Sequence, residues 1–274
     1  MTRTLDELTP LLQAFPEEER RLILEQAARY DRLLARLPMA GAGERREKPL
    51  AGILALNGAS GAGQSYVMKR VARLLEARSI TLPRIYLLAT RKPRPDEGYK
   101  NPYIFVEAVE GGWRDIYHPE TVYRQEDIYY RYQSRPGAEN AILLSDARLA
   151  RERIMYLETV IPTLLHIREH TIRGIPAWKD NLRIVYLAAP DGYEWVYRLL
   201  NREAGKLVEE GYRRTLLGRL ASSLDDMELA AEHRIPCVLN HYGKAEQAAE
   251  EILSVWGLGV TAAARENPGE AKGG

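Results

Sequence analysis

The sequence predicts an α/β fold in which a mostly parallel sheet is flanked by helices. Three observations predict it. Short apolar runs of strand length alternate with helical sequence, a glycine-rich loop joins the first run to a helix, and 45% of the 274 residues are hydrophobic. Such alternation is typical of parallel strands covered by helices on both faces. The apolar content is sufficient for one large core.

A helical extension is predicted over residues 1–48. Thr4 and Glu7 have the spacing of a capping box, which marks the start of a first helix. Pro16 followed by three glutamates is typical of the first turn of a second helix, and a linker rich in Gly, Pro and charge follows it. The apolar stripe of the second helix is expected to pack on the rest of the chain. The alternative is a contact with a protein partner or a second copy through residues 1–37.

The alternating part of the chain is predicted to form one domain over residues 49–257. A helix is predicted over residues 65–78, directly after the glycine-rich loop, because apolar side chains recur there on one face. The tail over residues 258–274 is small, polar and Gly-rich, and it is predicted to be disordered. The predicted strands cover residues 50–57, 85–88, 141–144, 184–187 and 237–239.

Composition limits the partners and the location that we expect. The formal net charge is +1, so the whole chain offers no electrostatic argument for nucleic acid or an anionic membrane. No apolar stretch approaches 18 residues, so no transmembrane helix is expected. A single cysteine, Cys237, cannot form an internal disulfide, which favours a reducing compartment. We therefore expect a cytoplasmic protein with no membrane contact and no nucleic-acid partner.

The segment from Gly58 to Ser65 reads GASGAGQS and matches the pattern G-x-x-x-x-G-K-[ST] except at the lysine. Glycines let successive backbone N–H groups curl around phosphate oxygens, and the following helix N-terminus adds its dipole. The segment lies between a predicted strand and a predicted helix, as a phosphate loop requires; the alternative is an ordinary strand–helix turn. The Ser65 hydroxyl is the predicted Mg²⁺ ligand. The residues expected to hold ATP are Gly58, Ser60, Gly61, Ala62, Gly63, Gln64, Ser65 and Tyr66.

Gln64 occupies the position of the expected lysine. In a working loop that lysine neutralises the phosphates as they separate in the transition state. A glutamine amide donates a hydrogen bond without charge, and a charge-assisted bond is about twice as strong as a neutral one. We therefore expect transfer to be slower by roughly two to three orders of magnitude if Gln64 acts alone. In the alternative, Gln64 hydrogen-bonds a phosphate in a site that only binds.

A second basic segment follows the next predicted strand. Arg91 and Arg94 flank a proline, and Tyr103 follows nine residues after Arg94. Two guanidinium groups in a rigid turn can clamp an anion, whereas the alternative is a solvated charge cluster. At this point the chain resembles guanylate kinase, whose monophosphate-binding segment reads roughly T-T-R-x-P-R-x-G-E…D-Y-x-F-V. The resemblance implies that Arg91, Arg94 and Tyr103 hold the phosphate of an acceptor nucleotide.

The resemblance extends, in the same order, over about residues 50–257. Tyr132 and Ser134 match the family's Y-G-[ST] phosphate contact, with Tyr130 as an alternative in a shifted register. A strand followed by Asp146 matches the family's acidic residue, which would read the acceptor base or contact Mg²⁺ through water. Asn240 matches the segment beside the donor base. The lid arginines, which would neutralise the transferring phosphoryl group, correspond to Arg198, Arg202 and Arg219.

The resemblance thus implies a P-loop kinase fold with an acceptor-binding segment (84–135), an insertion (147–181) and a lid (196–222). It implies a phosphotransferase that moves the γ-phosphoryl group of ATP, with Mg²⁺, to a nucleoside monophosphate resembling GMP or to a related phosphate ester. The replaced lysine favours an alternative, a pseudoenzyme that binds nucleotide or a phosphorylated partner. A third option is a kinase of a sugar phosphate such as ribosyl bisphosphate. The acceptor, the role of the insertion and the oligomeric state stay open.

The insertion contains the pattern H-x-x-E-H, from His166 to His170. The two histidines and the glutamate are typical of one class of zinc site. The sequence offers no convincing third ligand, which such a site needs, so we expect an ordinary helix here.

Overall fold

The computed structural model describes residues 4–41, 49–94, 97–135 and 137–259, and only the backbone of Ser134 and Arg135. Much of the predicted linker and of the predicted tail lies outside the described residues. The described chain forms two compact units. The first contains residues 4–41, 57–80 and 184–259, and the second contains residues 49–56 and 81–183 except for the positions that are not described.

Strands and helices alternate in parts of the chain, as predicted, but the described residues between 88 and 143 form six consecutive strands with no α-helix between them. The helices are α1 (Leu5–Leu12), α2 (Glu17–Leu34), α3 (Gln64–Ala77), α4 (Leu144–Leu149), α5 (Ile161–Glu169), α6 (Gly192–Arg202), α7 (Glu210–Glu232) and α8 (Ala245–Val255). The strands are β1 (Gly52–Gly58), β2 (Leu88–Ala89), β3 (Ile104–Val109), β4 (Gly112–Asp115), β5 (Val122–Arg124), β6 (Ile128–Arg135), β7 (Ala138–Leu143), β8 (Ile154–Leu157), β9 (Leu182–Ala188) and β10 (Cys237–Leu239).

The first unit buries the apolar faces of its helices. Helix α2 packs on α6 and α7, and α3 packs on α8. Tyr30 of α2 is fully buried and stacks on Trp195 of α6, with ring centroids 4.6 Å apart. Strands β9 and β10 pair in parallel. The stripe of the second N-terminal helix therefore packs on the chain itself, which is the first of the two alternatives.

The second unit contains a six-stranded sheet with the strand order β5-β4-β3-β2-β7-β6. Only β2 and β3 pair in parallel there, and the other four ladders are antiparallel. The prediction of a mostly parallel sheet is therefore wrong for this sheet. Antiparallel neighbours need only a short turn. Gly111 joins β3 to β4 and Gly137 joins β6 to β7, both with positive φ.

The predicted strands were confirmed unevenly. Residues 184–187 and 237–239 lie in β9 and β10, and β1 covers most of residues 50–57. In the run over residues 85–88, only Leu88 lies in a strand, β2. Leu144 begins a helix instead of ending a strand. Strand β8, which pairs in parallel with β1, was missed because its four residues lie in a stretch too short for a period to show.

Two further expectations concern the environment of the chain. Among the described residues, no helix is long and apolar enough to cross a membrane. The thiol of Cys237 is buried, and that burial raises its pKa to about 12. The thiol is therefore protonated near neutral pH, which makes it a poor nucleophile.

Candidate functional site

The predicted phosphate loop connects β1 to α3. Strand β1 ends at Gly58 and α3 begins at Gln64, so both ends lie within the predicted loop, Gly58 to Ser65. Gly61 and Gly63 both have φ near 92°, in the left-handed region that glycine adopts without strain. A Cβ on Gly63 would lie 2.6 Å from Nδ2 of Asn240, so the loop leaves no room for a side chain there. Helix α3 begins at Gln64, directly after Gly63, and the loop therefore ends at a helix N-terminus.

The backbone of this loop offers hydrogen-bond donors. The N–H groups of Gly61, Gly63, Gln64 and Ser65 have no acceptor among the described residues. The first N–H groups of any helix lack an intrahelical partner, and here two glycine N–H groups of the preceding loop join them. Donors in this arrangement are suited to phosphate oxygens.

Neighbouring elements of the first unit hold the loop in place. The N–H of Ser60 donates to the Ser223 hydroxyl at 3.0 Å, and its carbonyl accepts from the Trp195 indole N–H at 2.9 Å. The side-chain amide of buried Asn240 donates to the carbonyl of Ala62 at 2.8 Å. That amide therefore serves the loop, and the contact of Asn240 with a donor base stays a prediction.

The Gln64 side chain turns back onto its own loop. Its amide nitrogen donates to the carbonyl of Gly58 at 2.9 Å. The next two residues, Ser65 and Tyr66, are exposed, and the Tyr66 hydroxyl accepts a hydrogen bond from Arg70 at 2.9 Å. The residue in the lysine position therefore carries no charge, and its side-chain amide already donates a hydrogen bond to the loop backbone.

The predicted lid arginines of α6 have fixed partners within the first unit. The Nε of Arg198 donates to Glu194 at 2.7 Å, and one of its terminal nitrogens donates to the backbone carbonyl of Asn240 at 2.8 Å. Glu194 is almost fully buried. Arg202 lies four residues later, and its Nε donates to Glu203 at 3.0 Å.

Glu203 is the centre of a larger cluster. Its carboxylate pairs with Arg202, with Lys206 at 3.7 Å and with Arg219 of α7 at 3.3 Å, and it accepts the Tyr212 hydroxyl. Burial opposes ionisation of Glu203, but the Tyr212 hydroxyl and the arginines outweigh it and lower the pKa. Three cations therefore share one ionised carboxylate, which leaves an excess of positive charge.

In the second unit, Arg91 is paired with a carboxylate that the sequence reading did not assign. Both terminal nitrogens of its guanidinium donate to Glu97, at 2.6 Å each, and the backbone N–H of Arg94 donates to the same carboxylate at 2.8 Å. The hydrogen bond from Arg91 lowers the pKa of Glu97. The Arg94 side chain is mostly exposed and lies 3.9 Å from Glu97. Of the two predicted clamp arginines, Arg94 is thus the accessible one.

Aromatic rings complete the surroundings of Arg91. Its guanidinium carbon lies 5.1 Å from the ring centre of Tyr103 and 5.0 Å from that of Phe105. Burial raises the pKa of the Tyr103 phenol. The structure therefore brings Tyr103 to Arg91, as the predicted clamp requires.

The other predicted acceptor tyrosines lie on β6. The Tyr132 hydroxyl hydrogen-bonds the Thr159 hydroxyl and accepts from the Asn140 amide at 3.2 Å. Burial raises the pKa of Tyr132 to about 12. Tyr130 instead stacks on His166 of α5, with ring centroids 4.6 Å apart. The side chain of Ser134 lies outside the described part of the chain.

Asp146 does not follow a strand directly. Strand β7 ends at Leu143, and Asp146 lies in the first turn of α4. The predicted strand-end position is therefore wrong, because the chain turns helical as soon as the β6–β7 hairpin ends. Burial raises the pKa of the Asp146 carboxyl, and the charge of Lys100 opposes that shift.

Ser65 lies in the first unit and Asp146 in the second, and their contacts with Mg²⁺ stay predictions. Among residues 4–41, 49–94, 97–135 and 137–259, no group of three or more His, Cys, Asp and Glu side chains could hold a metal ion. His166 and His170 stack with ring centroids 4.3 Å apart. His166 lies in α5 and His170 caps it, so the H-x-x-E-H segment forms the expected helix.

Sequence reasoning missed the carboxylates and hydroxyls that hold the candidate residues. Glu194 had a usable signal, because it lies four residues before Arg198 on a predicted helix. Glu97 and Glu203 lie close to their arginines in sequence, but nothing in the spacing distinguishes them from other acids. Ser223, Asn140 and Thr159 had no local signal.

Comparison with known proteins yielded one type of similarity. A scan of protein-family models found no match, and a search of curated proteins found none. Among solved structures, the chain is similar to guanylate kinase from Anaplasma phagocytophilum, with 12% sequence identity and a TM-score of 0.47. The alignment covers 76% of this chain and 86% of that chain.

Proposed function

We propose that this chain is a guanylate kinase-like protein that binds nucleotide phosphates at Gly58 to Ser65 and transfers phosphoryl groups weakly or not at all. The donors that support binding are the backbone N–H groups of the loop. The weak or absent transfer is inferred from the hydrogen bond that Gln64 donates to the carbonyl of Gly58. Because of this bond, the side chain in the lysine position contacts the loop backbone.

The phosphates of ATP fit the loop better than Mg²⁺ does. Two glycine N–H groups and the first N–H groups of α3 would donate hydrogen bonds to the phosphate oxygens. Ser65 is exposed, and its hydroxyl would hold a metal ion, which would neutralise phosphate charge there. Asp146, the second proposed metal contact, lies in the second unit and has a raised pKa. We therefore propose that the loop binds the phosphates of ATP and that Ser65 is the residue that would contact the metal.

A second candidate function is the phosphotransferase itself, acting on a GMP-like acceptor or on a ribosyl bisphosphate. The cluster around Glu203 favours it, because three cations share one carboxylate and their excess charge suits a transferring phosphoryl group. The acceptor phosphate would be held by Arg94 and Tyr103, and by Arg91 if it leaves Glu97. Tyr132 is the next candidate contact.

Two measurements separate these functions. Calorimetry with ATP tests binding, and product formation from GMP, dGMP, AMP and ribose 1,5-bisphosphate tests transfer. Both are made with the native chain and with Gln64→Lys. We expect ATP binding by both proteins, no appreciable product from the native chain, and at least a tenfold gain in any transfer rate in Gln64→Lys.

A control variant identifies the site of binding. In Ser65→Glu, the new carboxylate would stand at the N-terminus of α3, where a helix tolerates an acid, but it would repel a phosphate there. We expect this variant to keep the thermal stability of the native chain and to lose ATP binding. Rapid turnover by the native chain would establish the kinase instead. Absence of ATP binding in the native chain would remove both functions.

A further inference from the structure

A basic cavity lies in the second unit, within the part of the chain whose role the predictions left open. Its volume is about 490 Å³. Three arginines and one glutamate supply its charged lining, and the formal charge of these four side chains is therefore +2. The lining residues are Arg148, Arg151, Glu152, Arg173, Gly174, Ile175 and Pro176.

Local structure places the three arginines around this cavity. Arg148 lies in the last turn of α4, and Arg151 follows one turn later. Ile172 and Ile175 exchange two backbone hydrogen bonds, of 3.0 and 2.9 Å, which close a tight turn with Arg173 at its tip. Arg173 has φ 49° and the next residue, Gly174, has φ 76°, so both central residues are in the left-handed region. Turns with two such residues are compact, and this one fixes the backbone from which Arg173 projects.

Arg151 is held by neutral groups. Its guanidinium carbon lies 3.8 Å from the ring centre of Trp178, which is fully buried. It donates to the backbone carbonyls of Pro176 and Ala177. Its Nε is buried and has no hydrogen-bond partner. A buried N–H without an acceptor is costly, because the hydrogen bond that it made to water is not replaced.

None of the three arginines forms an ion pair with a carboxylate among the residues that the structure describes. The arginines of the predicted nucleotide sites differ, since Arg91, Arg198, Arg202 and Arg219 each have a glutamate. Glu152 also lines the cavity, but it is exposed and pairs with none of them at ion-pair distance. The cavity thus combines an excess of positive charge with one arginine that packs on Trp178 and has a buried, unpartnered Nε.

We propose that this cavity binds the dianion of a phosphate monoester. A phosphate monoester carries about −1.5 to −2 charges at neutral pH, which matches the charge of the lining. The planar guanidinium fork donates two parallel hydrogen bonds to phosphate oxygens, and several arginines can share the three terminal oxygens. The ester group would extend into the open part of the cavity. The proposal does not depend on nucleotide binding at Gly58 to Ser65.

Inorganic phosphate is the first probe. It would be titrated into the full chain at low ionic strength, with chloride at equal ionic strength as background, and binding would be followed by calorimetry. The test variant combines Arg148→Gln with Arg173→Asn, because asparagine tolerates positive φ. The control variant removes the same charge from exposed helix positions, by Arg21→Gln with Arg214→Gln.

The native chain should bind phosphate saturably; with the loop blocked by Ser65→Glu, we expect at least tenfold weaker binding when the test substitutions are added, and a change within twofold when the control substitutions are added. The variant Ser65→Glu separates this cavity from the loop, and we expect it to keep the cavity's share of binding. Equal binding by Ser65→Glu with and without the test substitutions would overturn the proposal. Binding that disappears in Ser65→Glu but persists in the test variant would overturn it as well.

Trp178 supplies a spectroscopic signature. An anion drawn to Arg151 changes the field at the indole on which the guanidinium rests, so phosphate should change the tryptophan fluorescence. The chain has four tryptophans. We expect the change to vanish in Trp178→Phe and in Arg148→Gln with Arg173→Asn. A change that persists in both variants contradicts the assignment.

Two sources of the same chemistry are then compared. Ribose 5-phosphate represents a free phosphate ester, and a phosphoserine peptide represents a phosphorylated protein; each is titrated against its unphosphorylated form. Competition of either ligand with inorganic phosphate supports the proposal and names the source. Equal binding of the phosphorylated and unphosphorylated forms would overturn it.

Discussion

The guanidinium of Arg91 donates two hydrogen bonds to the two carboxylate oxygens of Glu97, each 2.6 Å long. The side chains are 13% and 8% exposed. A predicted phosphate clamp thus already holds an anion that the chain supplies. Any acceptor phosphate that binds Arg91 bidentately must compete with Glu97.

This pair predicts a loss of stability in Glu97→Gln. Breaking a largely buried ion pair leaves one charge uncompensated, so we expect the free energy of unfolding at pH 7 to fall by about 2–4 kcal/mol. Urea unfolding followed by circular dichroism measures it. The matched control is Glu107→Gln, whose exposed pair with Arg114 should contribute less than about 1 kcal/mol. Equal losses in the two variants would contradict the assignment of Glu97 as a buried partner.

The same pair predicts a pH dependence. Because the hydrogen bond from Arg91 lowers the pKa of folded Glu97, its stabilisation is present above the unfolded value, near 4.3, and is lost as pH falls through the folded value. The stability difference between the native chain and Glu97→Gln should therefore be largest near pH 7 and shrink toward pH 3. Unfolding curves at intervals of pH measure this difference. A difference that grows on acidification would show that the pKa is raised instead.

Trp195 connects the second N-terminal helix to the predicted phosphate loop, and this connection predicts that the two are linked. Its indole donates to the Ser60 carbonyl and stacks on Tyr30 of α2. In Trp195→Phe, that part-buried carbonyl loses its partner, and we expect about 1–3 kcal/mol less stability together with weaker ATP binding. Thermal unfolding and calorimetry measure the two effects.

The control for Trp195→Phe is Tyr193→Phe, a change at a partly exposed position of the same helix. We expect little effect there on stability or on ATP binding. If Trp195→Phe loses stability but binds ATP as tightly as the native chain, the indole supports the fold without shaping the loop.

Gly192 predicts a steric limit at the start of α6. A Cβ at this position would lie 2.1 Å from the backbone carbonyl oxygen of Ala27 in α2, so one of the two helices must shift. We expect Gly192→Ala to cost about 1–3 kcal/mol, as overpacking does. Gly218→Ala is the control, because that glycine lies inside α7 with open space around it and should gain roughly 0.5–1 kcal/mol. The midpoint of thermal unfolding should therefore fall in Gly192→Ala and rise in Gly218→Ala.

What could be predicted was local. The glycine spacing of residues 58–65 identified the strand–loop–helix unit, since the φ angles and the helix start depend on nearby residues. Helix α3 begins one residue from its predicted start, and Arg198 and Arg202 lie on one helix as their spacing required. The two N-terminal helices also formed at their capping signals.

The antiparallel sheet could not be predicted in the same way. Its strands are short, and β2 has only two residues, so neither a period of two nor a continuous apolar run stands out. Its pairing depends on the turns at Gly111 and Gly137, and a glycine does not specify which strands it joins. The expectation of parallel strands came from the alternation that holds for β1, β9 and β10.

The sequence alone therefore determined where the predicted phosphate loop lies and that Gln64 stands at the position where its motif has lysine, because both depend on adjacent residues. The tertiary structure decided what each polar group meets. Ser60 and Ser223 are 163 residues apart in sequence, and Arg198 and Asn240 are 42 apart, yet each pair is joined by a hydrogen bond. Such partners are selected by the packing of whole helices and strands, for which the spacing of residues along the chain carries no information.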